Sequence, residues 1–235
     1  NFIGAEGSRP FIISALIVLA GGLAFLPVGK QFPDLGEKGN YSIFSFVKIA
    51  PMISAATLLV AFFDGSVLTL MPVYGVKNGQ LLETAVLMTS ALLAGNILLQ
   101  LPIGWLADRY NRGWVILGCG IVGVLGALLL PFVVLNHYLL WPLLVIWGGG
   151  VVGTYTIALV VMGQHFKGGN LITATAAVNM LWGLGGLFGP VMAGTAMEVY
   201  EPHGMPLTFA AACSSVEPAG DKKRVINKLA LDFVN

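Results

Sequence analysis

The sequence predicts an all-α polytopic membrane protein, a bundle of helices crossing a bilayer, and three observations carry that expectation. Hydrophobic residues make up 57% of the 235-residue chain and charged residues 10%, against roughly 25% charged in ordinary soluble domains. The apolar residues are gathered into runs about as long as the ~20 residues a helix needs to cross a bilayer, and mean hydropathy is +0.85 over the whole chain. The remaining charges stand mostly at the seams between those runs. Hydrocarbon offers backbone groups no partner outside their own helix, so each crossing has to be helical.

Taken in order, the runs predict six crossings, at about 11–28, 48–75, 81–105, 114–135, 138–163 and 172–197. Between the first two lies a polar, glycine-rich stretch holding Lys30, Lys38 and Lys48, the longest connection in the chain. It separates a first helix (1–28) and a linker (29–47) from a five-helix body (48–200). Pro51, Pro72 and Pro102 are read as helix starts and bends near span ends, where a missing N–H donor is tolerable. After the sixth crossing, the apolar piece from Met205 to Val216 would extend only about 18 Å as a helix, short of a hydrocarbon core about 30 Å thick. The segment 201–235 is therefore expected to be an incomplete last helix followed by a polar tail.

Short cytoplasmic loops carry an excess of Lys and Arg. Lys30, Lys38, Lys48, Arg109, Arg112 and Lys167 fall on the side of Asp108, and only Arg9 and Lys77 on the other. The Asp108 side is therefore expected to be cytoplasmic, in a multi-pass protein of the cell (inner) membrane. Trp105 and Trp114 flank that connection, as anchors at the headgroup level would.

Several function classes are disfavoured. A net charge of +1, with Lys222-Lys223-Arg224 as the only basic run, does not suit nucleic acid, which needs a clustered basic surface. Cys119 and Cys213 read as small apolar side chains. His137, His165 and His203 lie at span ends, too far apart in sequence for metal-ligand spacing. No metal or cofactor is expected. A lipid-modifying membrane enzyme would show acids or histidines clustered at the headgroup boundary, and Asp108 has no second acid near it in sequence, so the chain is not expected to be an enzyme.

The stretch Gly104-Trp105-Leu106-Ala107-Asp108-Arg109-Tyr110-Asn111-Arg112 is a compact charged hinge between two nearly uncharged runs. It resembles the signature loop of the major facilitator superfamily, roughly Gly-x-Leu-Ala-Asp-Arg-x-Gly-Arg-Lys. Gly104, Leu106, Asp108, Arg109 and Arg112 match in register, whereas Asn111 replaces the usual Gly and Gly113 a second basic residue. In that family the loop joins the second and third helices and recurs, weaker, between the eighth and ninth. Here it follows the third crossing and a long basic linker, so the resemblance implies the family's sixth to eleventh helices plus an incomplete twelfth, a C-terminal half whose N-terminal half is expected but absent. It further implies that Asp108 gates, through a helix end in the other half. Gly185, Gly189, Pro190 and Gly194 resemble the Gly-x-x-x-Gly-Pro motif of many exporters; small residues let helices approach closely and proline permits a bend, and ordinary packing accounts for them equally. Gly148-Gly149-Gly150 with Gly153 specifies nothing by itself.

Asp64, near the middle of the second crossing, is the sharpest functional clue. A charge at that depth costs about 2.5–3.5 kcal/mol on insertion scales, and no Lys or Arg lies at comparable depth. It is expected to be a proton carrier or a ligand for a cationic group, with a protonated acid bonded to a neighbouring helix as the plainer alternative. Asn96 and Gln100 share one face of the third crossing and are expected to look towards substrate or another helix. Asn179 and Trp182, with Thr154, Tyr155 and Thr156, are further pathway candidates. Amides and aromatic faces suit sugars and drug-like amphiphiles equally.

The function expected is secondary active transport of a small solute by alternating access, with protons as one candidate coupling partner. The competing expectations are a non-transporting membrane scaffold or fragment, since one half lacks the opposing wall of a cavity, and the lipid-modifying enzyme. Pairing of two identical halves would require one face to serve both roles.

Overall fold

The computed structural model describes residues 9–25 and 42–216. The chain divides into two units, Asn1–Lys38 and Gly39–Asn235. In the first, helix α1 (Arg9–Phe25) has 17 residues, about 26 Å of helix against a core of about 30 Å. The expected crossing 11–28 is helical through Phe25, and residues 26–28 lie outside the described residues, as do Lys30, Lys38 and the basic run Lys222-Lys223-Arg224.

The second unit begins with α2 (Ile43–Ile49). The linker is expected to run over 29–47, but its end folds because Phe46 has somewhere to go. The side chain is fully buried and packs on Phe166 at 5.7 Å between ring centroids, while the Ser45 N–H donates to Ser42 Oγ to cap the first turn. Then follow α3 (Pro51–Phe63), a π-helical turn (Asp64–Leu68) and α4 (Thr69–Lys77) as one continuous span, α5 (Leu82–Arg109), α6 (Arg112–Val133), α7 (His137–His165), α8 (Gly169–Val199) and α9 (Gly204–Val216). Among the described residues, five helices are long and apolar enough to cross a membrane: Pro51–Lys77, α5, α6, α7 and α8. The protein is an all-α polytopic membrane protein.

The third crossing, expected to stop near 105, continues as helix to Arg109. Leu106-Ala107-Asp108-Arg109 are compatible with helix, and no proline or glycine among them stops the backbone before Tyr110. The hinge shrinks to Tyr110 and Asn111, and the Asn111 side chain accepts the Gly113 N–H at 2.9 Å as the N-cap of α6. Pro102 consequently lies inside α5, not near its end.

Helix α7 is the axis of the bundle. Both α5 and α6 lie against it, α3 packs on α8 and α7, and α9 fills the space between α6 and α8. Four glycines on α7 permit this. A β-carbon on Gly148 would strike the Leu92 carbonyl of α5, one on Gly149 would meet Gly95 and Leu99, and ones on Gly150 and Gly153 would meet Val122 and Cys119 of α6. Dispersion between backbones is the main attraction available where lipid is as apolar as the side chains.

The core centres on Trp147, fully buried, whose ring occupies the notch left by Gly126. Its Nε1–H donates to the Gly123 carbonyl at 2.9 Å. Phe63 of α3 meets the ring edge-on at 5.2 Å and Phe209 of α9 at 5.8 Å. So α9, 13 residues long, is anchored in the same core as α3 and α7, with Met205, Phe209 and Cys213 buried.

Candidate functional site

Asp64 is the central residue of the 27-residue span Pro51–Lys77 and opens the π-helical turn. A π turn inserts one residue into the helix and re-aims the side chains around it, a device often found at functional positions. Asp64 is half-buried, and its Oδ1 is buried with no hydrogen-bond partner, alone in this among the described side chains. Buried polar atoms are nearly always satisfied, so the orphan oxygen singles out Asp64 among the described residues.

The turn is held from one side by α8. Gly65 meets Gly186 and Pro190 so closely that a β-carbon there would stand 2.9 Å from the Gly186 carbonyl and 3.2 Å from Pro190 Cδ. A β-carbon on Gly185 would press on Ala61, and one on Gly189 on the Phe62 carbonyl at 2.9 Å. The Gly-x-x-x-Gly-Pro segment therefore lies directly against the turn that carries Asp64. Gly194 differs: open space surrounds its α-carbon, so among the described residues it is not part of this packing. Ser66 lies within the turn and donates through its hydroxyl to the Phe62 carbonyl, a small polar group the sequence reading passed over.

Four of the other candidates form two pairs. Tyr155 of α7 and Trp182 of α8 touch, with ring centroids 4.9 Å apart and planes tilted by 57°; both are half-buried. Gln100 donates to the Asn96 side-chain oxygen at 2.8 Å, so the two amides satisfy one another in part. Gln100 and Asn179 are exposed. Judged along their own spans, Asn96, Tyr155, Asn179 and Trp182 lie in the middle layer or within about two turns of it on the Asp108 side. Exposed amides at membrane depth are expected to face protein or water in preference to lipid.

At the α5–α6 connection, Gly104, Asp108 and Arg109 belong to α5 and Arg112 starts α6. Asp108 sits at the negative end of the α5 dipole, and Arg112 stands 3.8 Å away to offset it. The Asp108 side chain is 77% exposed, so that pair contributes at most about 1 kcal/mol. Arg112 also donates to Gln164 on α7, tying the connection to the next loop, while the Arg109 guanidinium lies over the Trp105 ring at 5.2 Å.

The opposite end carries a constellation that sequence spacing had no means to reveal. Tyr74 bonds His203 Nδ1 at 3.1 Å, Lys77 pairs with Glu201, and the Gln80 amide donates to the Val134 carbonyl at 2.6 Å. These join the end of α4 to the α8–α9 connection and to the end of α6. His203, placed at a span end by the sequence, makes a specific bond to a fully buried tyrosine. Among the described residues no group of His, Cys, Asp and Glu is arranged to hold a metal ion.

Residues 53–214 match the family model of the Major Facilitator Superfamily. The chain is 25% identical over 215 residues to the uncharacterized MFS-type transporter YfkF of Bacillus subtilis, an alignment covering 89% of this chain and 55% of that protein. It is 29% identical over 193 residues to an uncharacterized MFS-type transporter of Yersinia enterocolitica, covering 81% of this chain and 49% of that protein. An uncharacterized MFS-type transporter of Yersinia pestis is 29% identical over 139 residues, 59% of this chain and 35% of its own length. The chain thus spans about half the length of the curated relatives it matches. No solved structure matches it. A family match covering more than half of the chain, on a bundle with five helices of membrane-crossing length, makes this chain a member of the Major Facilitator Superfamily.

Proposed function

We propose that the chain is the C-terminal half of a secondary carrier that moves a small solute across the cell (inner) membrane by alternating access, with Asp64 on the solute or proton pathway. The carrying observation is the Asp64 carboxylate, whose Oδ1 is buried and unpartnered at the centre of a span. A residue that must bind and release a proton or a cationic group cannot be permanently satisfied by its neighbours. Tyr155, Trp182, Asn96, Gln100 and Asn179 would line the same pathway, facing the N-terminal half that completes the cavity.

In this reading the Asp108 connection is cytoplasmic, as the Lys and Arg distribution favours, and Asp108 gates against the other half. Its exposure and its loose pairing with Arg112 leave the carboxylate free to take such a partner. Residues 48–200 form the working body, and 29–47 the connection between halves.

The test uses the full-length protein in proteoliposomes enclosing a pH-sensitive dye, challenged with a panel of sugars, amphiphilic cations and neutral drug-like compounds. Proton movement on solute addition in the wild type, kept in part by Asp64→Glu and lost in Asp64→Asn, supports the coupling role. Undiminished proton-linked flux in Asp64→Asn overturns it. A solute that moves without protons, and is lost only when Asp64 is neutralised, assigns Asp64 to binding a cationic group.

A further inference from the structure

Helices α5 and α6 are both drawn onto α7 by its glycines, yet scarcely touch one another. The result is an open groove of about 540 Å³ between them, floored by Ile146 and Gly150 of α7 and lined by apolar side chains. It runs along α5 from Leu99 to Tyr110. The eleven helical steps from Leu99 to Tyr110 give about 16 Å, close to the ~15 Å depth of one leaflet's hydrocarbon.

The chemistry changes at one end. Tyr110 and Trp114 close the groove on the Arg109 side and remain 62% and 65% exposed, amphipathic rings at the level where headgroups begin. Arg109 sits beside that mouth in sequence, its guanidinium over Trp105, and makes no ion pair with a carboxylate among the described residues. The length of the groove suits a single hydrocarbon chain, and the Arg109 guanidinium, stacked on Trp105 but paired with no described carboxylate, suits an anionic head.

We propose that the α5–α6 groove is a binding site for one phospholipid of the leaflet on the Arg109 side, an acyl chain lying between Leu99 and Tyr110 and an anionic headgroup held by Arg109. Gly118 makes room for the chain. It lines the groove and has nothing within 4 Å of its missing β-carbon. Gly120, on the same helix and equally open, lies outside the groove lining, so the two glycines form a matched pair.

The experiment compares full-length wild type, Gly118→Leu and Gly120→Leu, each reconstituted with phosphatidylethanolamine and phosphatidylglycerol and then released into detergent for native mass spectrometry. Retained phosphatidylglycerol should fall roughly tenfold in Gly118→Leu, the equivalent of about two methylenes excluded, and stay at the wild-type level in Gly120→Leu. Equal retention in all three overturns the proposal. So does a two-copy mass that disappears in Gly118→Leu, which would assign the groove to self-association. Arg109→Gln gives an independent reading if Gly118→Leu does not fold: loss of the preference for phosphatidylglycerol over phosphatidylethanolamine supports the site, and an unchanged preference overturns it.

Discussion

Gly65 in the π-helical turn and Gly186 on α8 meet backbone to backbone, and the contact is one-sided. A β-carbon on Gly65 would lie 2.9 Å from the Gly186 carbonyl, whereas one on Gly186 would have nothing within 4 Å. The turn that presents Asp64 is thus seated on α8 through one glycine and not the other.

Gly65→Ala should therefore destabilise the full-length protein by about 1–3 kcal/mol through overpacking. Gly186→Ala should be within about 0.5 kcal/mol of wild type, as expected for a substitution into free space. Thermal unfolding in detergent separates the two. Equal effects would mean that the helices do not meet at this point.

Trp147 tests the core. Trp147→Phe keeps a ring in the Gly126 notch but leaves the Gly123 carbonyl without the indole donor, and should cost about 1–2 kcal/mol. Trp147→Ala empties the notch and should cost about 3–5 kcal/mol. A Phe variant as damaged as the Ala variant would transfer the weight from packing to the hydrogen bond.

Much of this architecture is legible in the chain because hydropathy alone forces it. Runs of apolar residues place Pro51–Lys77 and α5 to α8 to within a few residues. What escapes is local or three-dimensional. Asp108 and Arg109 read as loop because they are charged, yet α5 runs on through both. The π turn at Asp64 leaves no mark in an apolar stretch, since one inserted residue breaks a period that a uniformly hydrophobic helix does not show. Phe46 disguises a short helix as linker, and the meaning of Gly148-Gly149-Gly150 depends on which carbonyls and side chains lie opposite. For the candidate site, Asp64 was visible as an isolated acid, but the Tyr155–Trp182 contact and the bond from Tyr74 to His203 join residues that sequence distance keeps apart.

Asn111 illustrates a departure from the family pattern that the fold makes sense of. Its side chain caps α6 at the Gly113 N–H, a role a glycine fills only through its backbone. Asn111→Ala should cost about 1 kcal/mol, and Asn111→Gly a few tenths. Chemical unfolding at low denaturant slopes resolves that difference; the opposite order would remove the capping role.

The Lys77–Glu201 pair joins α4 to the α8–α9 connection from an exposed position, with side chains 35% and 63% exposed. Glu201→Gln should change stability by less than about 1 kcal/mol, and the effect should vanish in high salt. A loss of several kcal/mol that persists in salt would show that the pair is the principal tie between those ends.

The most direct test of the central claim is accessibility at Asp64 itself. In full-length protein with Cys119→Ala and Cys213→Ala, Asp64→Cys is exposed to a membrane-impermeant maleimide from each side of the membrane in turn. The account predicts labelling from both sides, with the balance shifted by neutralising Asp108. A cysteine at this position that reacts from neither side, while one on the lipid face reacts with a membrane-soluble maleimide, would place Asp64 outside any aqueous pathway and contradict the account.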